Sequence, residues 1–224
     1  MKYTIATLKK WNINNANELQ KKRPNDDVQV ITSKDELTHE RLIGAEYVFF
    51  PHWSHLIPED IFTKFTCIVF HMTDLPYGRG GSPLQNLIAR GHTTTKISAI
   101  RVTGELDGGD VYMKSSLSLF GGAEEIYMRA SEIIFADMIP FILDNRPVPV
   151  PQSGEGVVFK RRKLEDSELS AKMSLAQIFD HIRMLDAEGY PPAYMRFGDY
   201  VIELTRPKLT SDGIVADVKI NWRL

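Results

Sequence analysis

The chain has 224 residues, with 27 Lys+Arg against 29 Asp+Glu, a formal net charge of −2 that leaves no positive excess to displace the counterions of a nucleic acid. Hydrophobic residues at 43%, charged residues at 25%, and 3 Trp, 8 Tyr and 11 Phe exclude disorder as the main state. A single cysteine, Cys67, excludes an internal disulfide framework and fits a reducing compartment.

Residues 3–7 (Tyr-Thr-Ile-Ala-Thr) predict a short strand, and the start Met1-Lys2-Tyr3-Thr4-Ile5 runs into polar residues too soon for a signal peptide, so a cytoplasmic protein is expected. A polar helix over 14–23 stops before Pro24. A second strand follows at 28–32, and Ser33-Lys34-Asp35-Glu36 then reads as a helix cap with acidic first-turn residues. The nearly continuous apolar runs 46–50 and 66–70 suit strands covered on both faces, with one or two helical turns between them over 58–65. Ser82-Pro83 predicts a helix start, with Ser as cap and Pro at the first helical position, and Gly91 predicts its stop. Strands are expected at 97–103 and 111–119, and one long helix from Ala123 to Leu143. That helix contains the longest apolar stretch, which Asp137 and Pro140 interrupt and which is too short to span a bilayer.

Pro147, Pro149 and Pro151 form a stiff linker and the best boundary in the chain. Beyond it the sequence predicts a strand at 157–159, a helix from Ser174 to Ala187, a hairpin of 194–197 and 200–205 around Gly198-Asp199, and a strand at 214–221. The expected fold class is α/β: an open, mostly parallel (Rossmann-like) sheet with flanking helices over 1–150, and a small C-terminal helix plus β-hairpin module over 151–224. The apolar helix and hairpin offer a face for a homodimer.

The chemistry concentrates in residues 69–83, Val-Phe-His-Met-Thr-Asp-Leu-Pro-Tyr-Gly-Arg-Gly-Gly-Ser-Pro. A buried strand ends on His71, a glycine-rich loop follows, and a helix begins. Ligands of open α/β sheets bind at the carboxyl ends of strands, and an imidazole placed there suits proton transfer. Taken from composition alone, His71 reads more readily as a polar strand-end residue bonded to a backbone carbonyl.

This segment resembles the catalytic core of the formyltransferases that use 10-formyltetrahydrofolate. In that family a buried strand ends Asn-x-His, and a loop runs through Tyr-Arg-Gly-x-x-Pro into a helix. Here His71, Pro76, Arg79, Gly80 and Pro83 fall in register, followed by Gln85. The family's second motif, a Leu-Asp-x-Gly-x turn, is matched by Leu106-Asp107-Gly108-Gly109-Asp110, with Asp107 36 residues after His71. A folate-binding loop ending Ile-Leu-Pro in the family is matched more softly by residues 49–58. The similarity runs from about residue 45 to 162.

The resemblance implies direct formyl transfer to an amine, with His71 and Asp107 catalytic: His71 moves the proton or donates to the oxyanion, and Asp107 orients it. It implies that His52, Trp53, Ser54, Leu56 and Ile57 hold the folate co-substrate, the backbone reading the pterin edge while Trp53 or Leu56 packs on a ring. From the residues alone, Trp53 reads equally as core packing, and Asp107 more readily as a turn former in Asp-Gly-Gly. Asp74 and Asp110 read as loop residues, Asp74 near enough to His71 to touch substrate. His52 and His55 have no nearby Cys or acidic cluster, and no metal is expected.

One position departs from the pattern: the family's Asn, two residues before the histidine, is Val69. Removing such an oxyanion donor costs about 2.7–4 kcal/mol. Another group must then fill the role, with Gln85, Thr73 and Ser54 the candidates, or the chemistry is altered.

The tail, Phe159-Lys160-Arg161-Arg162-Lys163 followed by a helix, resembles that of the sugar N-formyltransferases. Arg161 and Arg162 are then expected on a diphosphate, and Thr73, Tyr77, Arg79 and Gln85 on the substrate. The bland reading of the basic cluster is a solvated turn. The acceptor expected from this resemblance is a nucleotide-linked deoxyamino sugar of surface-glycan biosynthesis, with small-molecule substrates and neither nucleic acid nor membrane as partner. The alternatives are a methionyl-tRNA formyltransferase-like enzyme, a formyltetrahydrofolate hydrolase, and a non-catalytic folate- or nucleotide-binding protein.

Overall fold

The computed structural model describes residues 1–222. In chain order its elements are β1 (Lys2–Ala6), α1 (Lys10–Lys22), β2 (Asp27–Ile31), α2 (His39–Leu42), β3 (Tyr47–Phe50), α3 (Glu59–Phe62), β4 (Cys67–His71), β5 (Tyr77–Gly80), α4 (Pro83–Ala89), β6 (Thr94–Arg101), β7 (Val111–Ser118), α5 (Ala123–Ile133), α6 (Ile139–Asn145), β8 (Val157–Phe159), α7 (Leu175–Arg183), β9 (Ala193–Phe197), β10 (Tyr200–Leu209) and β11 (Ile214–Trp222). Three sheets result: six strands in the order β2-β1-β3-β4-β6-β7, three in the order β11-β10-β9, and the ribbon β5-β8. Contacts divide the chain into two units. The first comprises residues 1–79, 96–117 and 128–158; the second comprises 80–95, 118–127 and the chain from 159 onward.

The first unit carries the large sheet, and its order follows from burial. Val48, Phe49, Phe50, Cys67 and Ile68 are all buried, as the apolar runs demand of strands covered on both faces. β1 pairs in parallel with β2 and β3, and β3 in parallel with β4; β6 runs antiparallel to β4, with His71 opposite Ser98. The fold is therefore α/β with a mostly parallel, mixed sheet. On one side Ala6, Ile31, Leu42, Val48, Phe50, Ile61 and Cys67 form a core, with Trp53, Ile57 and Val69 packed against its margin.

Three local expectations are corrected. The single long helix becomes α5, a π-type segment over Ile134–Met138, and α6. Pro140 supplies the reason: it has no N–H to give to the carbonyl four residues back, and its ring crowds that turn. The loop after His71 contains a strand, β5, which sequence left as a glycine-rich coil. Ser82 precedes α4 but does not cap it, because its backbone is left-handed (φ 50°) and its hydroxyl accepts instead from the Arg162 N–H at 3.1 Å.

In the second unit, α7 starts with a reciprocal cap: Ser174 Oγ accepts from the Gln177 N–H, and Gln177 Oε1 accepts from the Ser174 N–H. The sheet β9-β10-β11 is antiparallel, with Tyr200 opposite both Phe197 and Trp222 and Ile202 opposite Met195 and Ile220. Phe197, Ile220 and Trp222 share one face and are exposed. No helix among the described residues is long and apolar enough to cross a membrane.

Candidate active site

β4 delivers His71 to the carboxyl end of the parallel strands, buried to 9% exposure. The loop after it turns back through the cis bond Leu75-Pro76. It brings the Gly78 carbonyl to 2.7 Å from His71 Nε2. A carbonyl only accepts, so Nε2 carries the hydrogen and Nδ1 is the nitrogen left for proton transfer. The Thr73 hydroxyl donates to the same carbonyl at 3.3 Å, and Ser98 Oγ donates to the Thr73 carbonyl at 2.7 Å, which fixes the loop against β6. Sequence offered His71 either as a catalyst or as a strand-end residue bonded to a carbonyl; the carbonyl bond exists, and it occupies one nitrogen only.

Asp107 arrives by a long route. β6 runs toward the amino end of β4, where the Val102 N–H donates to the Cys67 carbonyl at 2.9 Å. The 102–110 loop then brings Asp107 Oδ2 to 3.6 Å from His71 Nδ1. That distance is an ion-pair approach and too long for a direct hydrogen bond. Asp107 itself sits in the left-handed region (φ 49°), a strained setting for a residue with a Cβ. Gln152, which sequence did not single out, donates to the Asp107 carbonyl at 2.7 Å and to the Gly109 carbonyl at 2.9 Å. Its oxygen accepts from Arg79 Nε at 3.1 Å and Arg79 Nη2 at 2.9 Å, while Arg79 Nη1 pairs with Glu105.

The remaining expected residues of this unit surround the same strand ends. Tyr77 is half-buried at the head of β5. Asp74 pairs with Lys96 at 2.9 Å and with Lys114; burial pushes its carboxyl up, but the two ammonium groups hold it below the usual carboxylate range. Val69 lies on the His71 side of β4, two residues back, and packs against Leu75, Ile100 and Val111. Of the donors suggested to replace the family's Asn, Thr73 already gives its hydrogen to Gly78.

After β3, the chain leaves through Pro51, His52, Trp53 and Ser54. A buried polar hub that sequence missed holds this exit. Asn12, at 0% exposure in α1, donates to Thr7 Oγ1 at 2.9 Å and the Pro51 carbonyl at 3.2 Å, and approaches His52 Nδ1 at 3.3 Å; its oxygen accepts from Ser131 Oγ. His52 is left-handed (φ 51°), and its ring sits edge-on to Trp11. Desolvation, followed by the charge of Lys9, lowers its pKa to about 4. Trp53 stacks edge-on against Phe50 and His55, Ile57 packs on the core margin, Ser54 is exposed, and Leu56 is 92% exposed. Among the described residues no group of His, Cys, Asp and Glu is gathered to hold a metal ion.

Gln85, Arg161 and Arg162 belong to the second unit. Gln85 is buried, and its amide donates to Tyr127 Oη at 3.0 Å and the Met184 carbonyl at 3.1 Å. Arg161 is exposed and passes so close to Gly81 that a Cβ there would lie 2.5 Å from the Arg161 Cβ. Arg162 donates to the Asp166 carbonyl, and burial lowers its pKa against the opposing pull of Asp166.

An imidazole with one committed nitrogen and a carboxylate facing the other, at a strand end of an α/β sheet, form an arrangement chemically able to accept and return a proton. Residues 164–221 match the family described as "Methionyl-tRNA formyltransferase, C-terminal domain". A solved structure titled methionyl-tRNA formyltransferase, from Clostridium thermocellum, is 56% identical, covers 99% of each chain and superposes with a TM-score of 0.97. The methionyl-tRNA formyltransferase of Rickettsia massiliae is 27% identical over 169 residues, which is 72% of this chain and 55% of the relative. A 4-N formyltransferase from Francisella tularensis shares the fold at 16% identity and a TM-score of 0.70, covering 88% of this chain and 93% of that one. The chain belongs to the formyltransferase family. It spans about half the length of the curated relatives it matches. The similar relatives carry tRNA in their names, whereas sugar N-formyltransferases are fold neighbours only; this departs from the expected sugar acceptor and from the expectation of no nucleic-acid partner.

Proposed function

We propose that this chain moves the formyl group of 10-formyltetrahydrofolate onto the amine of methionyl-tRNA, with His71 taking the amine proton. The observation that carries the reading is the approach of His71 Nδ1 to Asp107 Oδ2, 3.6 Å apart at the carboxyl end of β4. The amine attacks the formyl carbon, the new C–N bond forms, and the carbonyl electrons move onto oxygen. The amine proton passes to Nδ1, since Nε2–H is engaged by the Gly78 carbonyl. The imidazolium then faces the Asp107 carboxylate, which offsets its charge in a poorly solvated site. Collapse of the oxyanion breaks the bond from formyl carbon to folate nitrogen, and His71 returns the proton to that leaving nitrogen. The loop carrying His52, Trp53, Ser54, Leu56 and Ile57 supplies the folate face in this reading, with exposed Leu56 as its uncovered apolar side chain.

The acceptor is argued from the relative that is 56% identical along its whole length. A nucleotide-linked deoxyamino sugar is the second reading, favoured by one observation: residues 159–224 hold eleven Lys+Arg and ten Asp+Glu, almost no basic excess for an RNA backbone. Tetrahydrofolate release is to be followed with methionyl-tRNA and with a panel of nucleotide-linked amino sugars. Release driven by methionyl-tRNA is the expected result. Release with the sugars alone would replace the acceptor, release with no amine would mark a hydrolase, and folate binding without any release would mark a binder.

A further inference from the structure

We infer that Gln152 is the positioning residue that holds the Asp107 carboxylate on His71; this rests on the reading of those two residues as the formyl-transfer pair. A glutamine amide has two hydrogens and an oxygen able to accept twice, and here all four are engaged. The two hydrogens go to carbonyls, Asp107 and Gly109, on either side of Gly108. Among the described residues the oxygen accepts from Arg79, through Nε and Nη2. The reverse orientation would set hydrogens against a guanidinium and oxygen against two carbonyls, so the partners fix the amide in one way.

What presents Gln152 is itself rigid. Val150 and Val111 exchange backbone hydrogen bonds of 2.8 and 2.9 Å, and Pro149 and Pro151 restrict the segment on either side of that bridge. Two residues past Val150 in one direction lies Gln152; two and four residues before Val111 lie Gly109 and Asp107. The amide therefore bridges two segments already held in register. Arg79 completes the clamp by pairing with Glu105 at the other end of the turn. Asp107 stays left-handed because its carbonyl is captured; with the capture gone, rotation about its backbone swings the carboxylate away from Nδ1. Arg79, expected on the substrate from sequence, thus has its guanidinium committed to the turn that carries Asp107.

The test uses Gln152→Leu, which removes all four bonds at similar size, and Gln152→Glu, which keeps the one oxygen that accepts from Arg79 but turns a second oxygen's lone pairs toward the carbonyls. Tetrahydrofolate release is measured with the acceptor that drives the wild type, and amide hydrogen exchange is measured over residues 104–110. Both variants are expected to lose kcat by about 10- to 100-fold, the scale of a misplacement near 1 Å, with KM for folate and amine little changed. In an Asp107→Asn background Gln152→Leu is expected to add almost nothing, since both act through one carboxylate. Exchange over 104–110 is expected to rise at least about tenfold while β1 and β4 keep their protection. A normal kcat in both variants overturns the inference, and so does a full additional loss in the Asp107→Asn background. If Asp107→Asn alone turns over normally, the reading of the site fails instead. The exchange result then still decides the clamp, with unchanged protection over 104–110 contradicting it.

Discussion

The Gly78 carbonyl decides the chemistry available to His71. By holding Nε2–H at 2.7 Å it leaves Nδ1 as the only ring nitrogen that can accept a proton, and Asp107 faces that nitrogen. His71→Ala and Asp107→Asn are therefore each expected to lower kcat by at least about 100-fold, with thermal midpoints close to wild type, because neither side chain belongs to the apolar core. Near-normal kcat in both variants would displace the site. His71 and Asp107 were legible in the sequence because each sits in a motif whose spacing and glycines are written in residue types. The Gly78 carbonyl and Gln152 were not: the first is a backbone acceptor, which leaves no mark in a sequence, and the second reaches the turn through the Asp107 and Gly109 backbone carbonyls. Val69 was legible as a departure, and the structure gives its physical content: an aliphatic side chain packed on Leu75, Ile100 and Val111 stands where the family has an amide.

At the scale of elements, the site is a meeting of a strand and a loop that approach from opposite ends of β4. The strand could be read from its apolar run, since only a two-face-covered strand tolerates Cys-Ile-Val-Phe in succession. The loop could not, because its course depends on bonds between main-chain segments and Gln152: Val102 to Cys67, Arg101 to Asp110, and Gln152 to Asp107 and Gly109. β5 escaped for a related reason. Tyr77–Gly80 has two glycines at positive φ and none of the β-branched residues that mark strands, and it pairs only because β8 lies beside it. Gly109 tests the loop's tightness. A Cβ there would lie 1.7 Å from the Arg101 carbonyl oxygen, inside any van der Waals contact. Gly109→Ala is expected to cost about 1–3 kcal/mol in denaturant unfolding and to abolish turnover by moving Asp107. An alanine variant with wild-type stability and kcat would mean that the turn is looser than its contacts imply.

For the molecule as a whole, stability must fall in mild acid. His52 has an ordinary value of 6.5 and a folded value of about 4, set by desolvation and by Lys9. Between those two pH values the unfolded chain binds the extra proton, so the stability contributed by neutral His52 is fully present above about 6.5 and declines as pH drops toward 4. Burial, then Arg162, lowers His181 in the same direction. The loss assignable to His52 is on the order of 2–3 kcal/mol, and His52→Asn is expected to flatten that part of the curve; an unchanged pH dependence of unfolding in the variant would contradict it. Net charge, in contrast, belongs to the question of acceptor. The chain's −2 made a small substrate the natural expectation, yet the relative that matches it end to end is named for a tRNA. The most direct test of the central claim is the mass of methionyl-tRNA's amino acid after one turnover with 10-formyltetrahydrofolate. The wild-type protein is predicted to leave it formylated and His71→Ala to leave it unmodified; an unformylated methionine with active wild-type protein, or equal formylation by both, would contradict the account.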